Sequence, residues 1–397
     1  MKSQNLESTK EKKSLNNALT TACSAGMFVF GIVMAILGAI LPELFKTLQL
    51  RRVDAGNLFF FMNLSMLLTT LFFGPVVDRF GFRIFLLLSS LVVGLSFTGL
   101  AFSSSYSGIL ISVIFLGLAG AGLNGGTNAL VNDIHPENRA AALNFLGIFF
   151  GFGALLIPLL IGALLRLAGI KPIILVAAVF SLLPFILFLL LDFPQPKQPQ
   201  SFPLKDLKKI AGSGVLWLGA FILFFQSGNE FSVGGWLSSF FQEKFNLGGS
   251  GSALVLSGYW LLLMVGRLSF SKFLTGIKRE KVIIGGAFLS FLALLGMIFV
   301  TEKIPAIFFA LFLGLGFSVI YPTTLSIIGE NFSNYSGTAF SLAIGTGLVG
   351  GMLSPWLIGQ ASQHYSLSQA LFISAFNLLM IMGLSSWLYF KFLKKAN

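Results

Sequence analysis

Residues 224–236, FFQSGNEFSVGGW, set a glutamine, an asparagine and a glutamate inside an apolar run long enough to cross a membrane. Gln226 and Glu230 are four apart, a spacing that puts both on one helical face, with Asn229 beside them. A charged side chain at the centre of a bilayer costs about 2.5–3.5 kcal/mol or more, so such a residue is kept for a task. Three tasks fit Glu230: carrying a coupling ion, hydrogen-bonding a solute, or completing a structural pair. An acid that gains and loses a proton as its exposure changes couples transport to a proton gradient. One that stays ionised suits Na⁺ or a cationic solute.

A second polar set lies at Asn124, Asn128 and Asn132, again at spacings of four. Each amide offers two donors and an acceptor, which suits the alternating hydroxyl chemistry of a sugar. The competing role is inter-helix bonding, worth about 1 kcal/mol or less per contact. Asn124 and Asn128 are expected to line a cavity, and Asn132 lies nearer a helix end. Aromatic rings can stack on the apolar face of a sugar. Tyr321, beside the helix-interrupting Pro322, and Trp236, just after Gly234 and Gly235, are the rings best placed for that. Trp217, Tyr259, Trp260 and Trp356 rank lower, because aromatics make up 14% of the chain and most of them serve lipid and interface. Arg267, near the end of an apolar segment, is expected to snorkel to the interface. The candidate solute-binding set is therefore Asn124, Asn128, Gln226, Asn229, Trp236 and Tyr321, with Glu230 for ion coupling.

The elements that must position these residues are membrane helices. Of 397 residues, 55% are hydrophobic and 10% charged, far below the roughly 25% charged that a water-facing surface carries. Twelve apolar segments are long enough to span: about 18–41, 55–76, 83–102, 107–132, 139–165, 172–191, 212–240, 251–271, 281–301, 305–329, 335–361 and 368–390. The longest connection, 192–211, is Pro-rich and basic, and divides the chain into six-helix bundles at 18–191 and 212–390, with tails at 1–17 and 391–397. An offset of 197 aligns LGLAGAGLNGGTNALVND (116–133) with LGLGFSVIYPTTLSIIGE (313–330), and Gly153, Pro158 and Gly162 with Gly350, Pro355 and Gly359. A parallel repeat of six-helix halves is a transporter architecture that binds its solute near the midplane. Glu230 falls over Val33, so the shared scaffold does not demand the acid.

With the N-terminus inside, inner segments hold 18 Lys and Arg and outer ones 7, which predicts both termini in the cytoplasm of a cell (plasma) membrane protein. The net charge of +12 is then a topology signal with anionic-lipid contact, and nucleic acid is not an expected partner. Cys23 stands alone, so no disulfide framework exists. His135 and His364 fall in loops, which points to no metal. No phosphate loop and no nucleophile–base set stands out, so no cofactor and no enzyme activity are expected.

Between the second and third segments stands GPVVDRFGFR (74–83), which resembles the Gly-x-x-x-Asp-Arg-x-Gly-x-Arg loop of the major facilitator superfamily. The resemblance covers essentially the whole chain and implies an all-α fold of twelve helices in two pseudo-symmetric bundles. It also implies that Asp78, Arg79 and Arg83 form a latch between bundles in the outward-facing state. The second-half counterpart, GRLSFSKFLTGIKRE (266–280), keeps basic residues but lacks the Asp-Arg-x-Gly core. The stretches 124–158, 228–240 and 314–327 resemble the fucose–galactose–glucose proton symporter group within the superfamily. This chain departs from that group in having no acid in helix one before Glu43, and Asn124 and Asn128 in helix four. The expected activity is alternating-access transport of a small polar solute, a monosaccharide first, with H⁺ or Na⁺ symport by a monomer. The alternative is a drug or metabolite exporter, a proton antiporter of the same fold.

Overall fold

The computed structural model describes residues 2–194, 212–273, 276–332 and 336–396. Most of the expected linker, 195–211, lies outside them, and no side chains are described in 1–12 or 391–397. Among the described residues eleven helices are long and apolar enough to cross a membrane: α1 (Lys13–Leu48), α2 (Arg52–Phe73), α3 (Arg79–Phe102), α4 (Tyr106–Ile134), α5 (Ala141–Ala168), α6 (Ile170–Leu190), then α8 (Gly249–Phe270), α9 (Arg279–Phe299), α10 (Lys303–Asn331), α11 (Ala339–Ala361) and α12 (Leu367–Phe390). Between them α7 (Gly214–Phe245) completes the expected twelve. It falls outside the apolar set because Gln226, Asn229 and Glu230 dilute its hydropathy. The helix of α1 extends back to Lys2, so most of the expected tail 1–17 is helical. Helices α2 and α3 run on as one element, Arg52–Phe102, broken where Gly81 takes φ 77°, a left-handed conformation that glycine adopts without a Cβ clash.

Packing repeats at the offset seen in the sequence. A Cβ on Gly153 (α5) would collide with the Phe28 carbonyl of α1, and one on Gly350 (α11) with the Phe224 carbonyl of α7. Thr127 and Thr324 each donate at 2.7 Å to the carbonyl four residues back, Leu123 and Ile320, which are themselves 197 apart. Contacts between halves repeat too. A Cβ on Gly162 (α5) would sit 3.2 Å from the Ser250 carbonyl of α8, and one on Gly359 (α11) 2.9 Å from the Arg52 carbonyl of α2. Small residues let backbones approach this closely, which is how helices associate where lipid offers no hydrophobic drive.

These cross-half contacts gather at the end away from both chain termini. There Arg52 donates to Glu243 at 2.6 Å and to the Ser362 carbonyl at 2.8 Å. Glu243 also accepts from the Leu367 amide, and Trp356 Nε1 donates to Asn57 at 3.1 Å. At the end bearing the termini, the described residues include Asn16 bonded to the Ile134 carbonyl and Thr20 with His135 in the first half, and Arg279 with Glu330 in the second. A Cβ on Gly147 there would meet nothing within 4 Å, and Phe145 is exposed. Among the described residues the halves are thus tied at the end away from the termini, while open space lies beside Gly147 at the other. Arg52→Glu should loosen the joined end, and Arg52→Glu with Glu243→Arg should restore it. An exposed ion pair contributes no more than about 1 kcal/mol, so labelling of a cysteine at that end should rise about fivefold in the single variant and fall back in the double. Equal labelling of both would contradict this.

Candidate functional site

Glu230 sits midway along α7, where two polar partners reach it. Gln226, one turn earlier and fully buried, donates from Nε2 to Glu230 Oε1 at 3.0 Å and is within 3.5 Å of the Phe317 carbonyl of α10. From α8, one guanidinium nitrogen of Arg267 donates to both carboxylate oxygens, at 3.2 and 3.4 Å. The side chains of Arg267 and Glu230 keep 30% and 15% of their exposure, so the pair is shielded yet reachable. The Arg267 guanidinium also lies 6.0 Å over the ring of Phe150 on α5, in the other half.

This corrects the expected role of Arg267, which does not snorkel to an interface. A carboxylate within reach offers charge compensation where solvent is scarce. Breaking such a pair by removing one partner costs about 3–5 kcal/mol, because the survivor is left uncompensated. The sequence held a usable signal: Arg267 alone among the 26 Lys and Arg stands inside an apolar segment away from its first residue, and Glu230 needed a counter-charge.

Around the pair, Tyr259 of α8 packs edge-on against Phe317 of α10, whose carbonyl Gln226 approaches, and Tyr321 lies one turn further along α10. Tyr321 is half-buried and Tyr259 fully buried. Trp260 packs its ring 5.4 Å from Tyr259 and edge-on to Phe150 at 6.3 Å. Tyr259 and Trp260 were ranked below Tyr321 and Trp236 in the sequence, where nothing set them apart from lipid-facing aromatics.

The remaining expected residues divide. Asn128 of α4 donates to the side-chain oxygen of Asn124 at 2.9 Å and to its carbonyl at 2.8 Å, so the ladder is knit along its own helix while both residues stay half-buried. Asn229 is fully buried and accepts from Asn377 of α12 at 3.2 Å, which also donates to Ser354 of α11. Neighbours on a helix point about 100° apart, so when Glu230 faces Arg267, Asn229 turns into the interior of its own half. Trp236 is fully buried too. Its Nε1 donates to the Pro355 carbonyl at 3.1 Å and its ring packs against Phe59 and Phe45 of the first half. Both residues were expected to bind solute; in this conformation Asn229 ties three helices and Trp236 seals the joined end.

Of the expected latch, the Asp78 side chain lies outside the described residues. Arg79 is exposed, its guanidinium 5.3 Å over Phe80, and Arg83 donates to the Leu189 carbonyl of α6 at 2.8 Å, within its own half. Among the described residues no group of three or more His, Cys, Asp or Glu is placed to hold a metal ion.

Known proteins align with this architecture. A Helicobacter pylori protein named for glucose/galactose transport is 26% identical over 400 residues, covering 96% of each chain. Protein TsgA homolog of Buchnera aphidicola is 24% identical over 350 residues, 87% of this chain and 88% of its own. Among solved structures, a bacterial homolog of the human lysosomal transporter Spinster, in its inward-facing and occupied conformation, has a TM-score of 0.74 at 13% identity, covering 95% of this chain and 96% of its own. Its unoccupied inward-facing form gives 0.73 at 14% identity, with 94% and 95% covered. At such identities the structural likeness establishes the fold alone. The family pattern described as Major Facilitator Superfamily matches residues 23–355, and with two repeated helical bundles around a shielded polar site the chain belongs to that superfamily, a multi-pass membrane transporter and not an enzyme.

Proposed function

We propose that this protein is a secondary active transporter that takes up a monosaccharide together with a proton, by alternating access between the two bundles. The observation that carries the reading is the Glu230–Arg267 pair, held by Gln226 midway along α7 and laid over Phe150 of the opposite half. Protonation of Glu230 removes the charge that holds Arg267, so it changes both the site and a contact between halves. A ligand can shift a conformational equilibrium only by binding its states differently, and a proton on Glu230 meets that condition. A guanidinium already seated on both carboxylate oxygens repels a second cation, which favours H⁺ over Na⁺. The sugar assignment is supported by the name of the Helicobacter relative and by the amides of Asn124 and Asn128 on the first-half side. The excess of Lys and Arg at the end bearing the termini supports a cytoplasmic location for both, in the cell inner (plasma) membrane. On this reading the end with open space beside Gly147 faces the cytoplasm, and the conformer is inward-facing. Asp78, Arg79 and Arg83 would engage as a latch when the protein turns outward.

Counterflow of radiolabelled monosaccharides in proteoliposomes tests the reading, with Asn124→Ala and Asn128→Ala as site variants. Each should weaken solute affinity about fivefold, the worth of one net hydrogen bond, at unchanged expression. Extrusion of hydrophobic cations in place of sugar exchange would contradict it.

A further inference from the structure

We infer that the transported solute is an anionic monosaccharide, a hexuronate or hexonate, whose carboxylate replaces Glu230 on Arg267 once Glu230 takes up its proton. The inference rests on the reading of Glu230 as the proton carrier and adds the chemical class of the cargo.

Charge balance is the first ground. Among the described residues, the groups around the pair are Gln226 on α7, Tyr259 on α8, Tyr321 on α10 and Phe150 on α5, all uncharged. The empty carrier, with Glu230 ionised, is neutral at this site and can change conformation with the pair closed. A carrier that has protonated Glu230 holds Arg267 with no counter-charge. A buried unpaired cation is strongly disfavoured, so that state is held back from passing through an occluded conformation. A neutral sugar does not restore the balance. A carboxylate does, and it matches the planar guanidinium fork better than hydroxyls do. Proton without solute is then disfavoured, and so is solute without proton, because an ionised Glu230 would compete with the carboxylate for Arg267. Both leak pathways close on the same principle, which is what tight symport requires.

The second ground is the hydrogen-bonding inventory. Among the described residues, three buried groups in this cluster that can donate have no acceptor: Arg267 Nε, Trp260 Nε1 and the Tyr259 hydroxyl. They belong to one contiguous group, linked through the Tyr259–Trp260 and Trp260–Phe150 ring contacts and the Arg267–Phe150 stack. Among the described residues of this cluster, the one orphaned group that can only accept is Gln226 Oε1. Buried polar groups are ordinarily satisfied, so a surplus of donors marks a place for a ligand rich in acceptors. A carboxylate with no hydrogens of its own is such a ligand.

The test is equilibrium binding of radiolabelled galacturonate to the full-length protein in nanodiscs, with galactose as competitor, at acidic and alkaline pH, for the wild type and Glu230→Gln. Galacturonate should bind at least about tenfold tighter than galactose, and acidification should strengthen wild-type binding about tenfold. Glu230→Gln should bind galacturonate tightly at both pH values. Galactose binding as well as or better than galacturonate would overturn the anion assignment and leave the sugar-transport reading standing. Galacturonate affinity in the wild type that ignores pH would overturn the exchange of carboxylates on Arg267. Binding of neither sugar would overturn both readings.

Discussion

Proteoliposomes carrying Glu230→Gln will exchange labelled solute across the membrane but will not concentrate it when the outside is acidified. The amide keeps the size of the carboxyl group and can still meet Gln226, which touches Glu230 at 3.0 Å, but it has no proton to gain or lose. With nothing at the site to read the pH gradient, the accumulation ratio should fall to about one while counterflow persists. Uphill uptake by this variant would remove Glu230 from coupling. The same substitution strips Arg267 of its counter-charge. In the absence of solute it should therefore cost up to about 3 kcal/mol in thermal-unfolding measurements, the partial exposure of the pair keeping it at or below the low end for buried pairs. Glu230→Gln with Arg267→Gln should recover most of that loss.

The other large effect is steric. A Cβ on Gly38 of α1 would collide with the Gly234 carbonyl of α7, across the joint between halves. Gly38→Leu should therefore fold but fail to close that end, holding the protein away from the conformation described here. Transport should fall at least about a hundredfold, the equivalent of roughly 2.7 kcal/mol or more against closure. A probe at Glu243, on the joined end, should become accessible. Gly153→Leu offers a contrast, since its collision with the Phe28 carbonyl lies within the first half. It should lower thermal stability and yield without favouring either conformation. Similar losses of stability in both variants would refute a mobile joint at Gly38.

These two effects differ in how far the sequence announced them. Glu230 stood out because an acid in a membrane-length apolar run demands a reason, and its spacing from Gln226 placed both on one face. The repeat was legible for a related cause: Gly153 and Gly350 recur at one offset because equivalent helices must approach equally closely in both halves. The partner of Glu230 was not legible. Helical periodicity orders residues around one helix and says nothing about which neighbouring helix lies opposite, so Arg267, 37 positions away, looked like an interfacial side chain. The partners of Asn229 and Trp236 were hidden for the same reason. Asn377 and the Pro355 carbonyl, which take up their polar atoms, come from α12 and α11. Composition concealed Tyr259 and Trp260, since a chain with 45 phenylalanines gives no local sign of which rings are buried beside a charge.

The central claim is that proton occupancy of one carboxylate biases the movement of the two bundles. Spin labels at Ile84, beginning α3, and Ile277, preceding α9, sit exposed at the end bearing the termini, one on each half. The distance between them, measured by pulsed electron resonance with Cys23 replaced by alanine, reads the opening directly. With solute present, the wild type at alkaline pH should show the long distance between these positions, and acidification should add a shorter population. Glu230→Gln should show that shorter population at every pH. Distances that ignore pH in the wild type, or a glutamine variant that follows pH as the wild type does, would contradict the account.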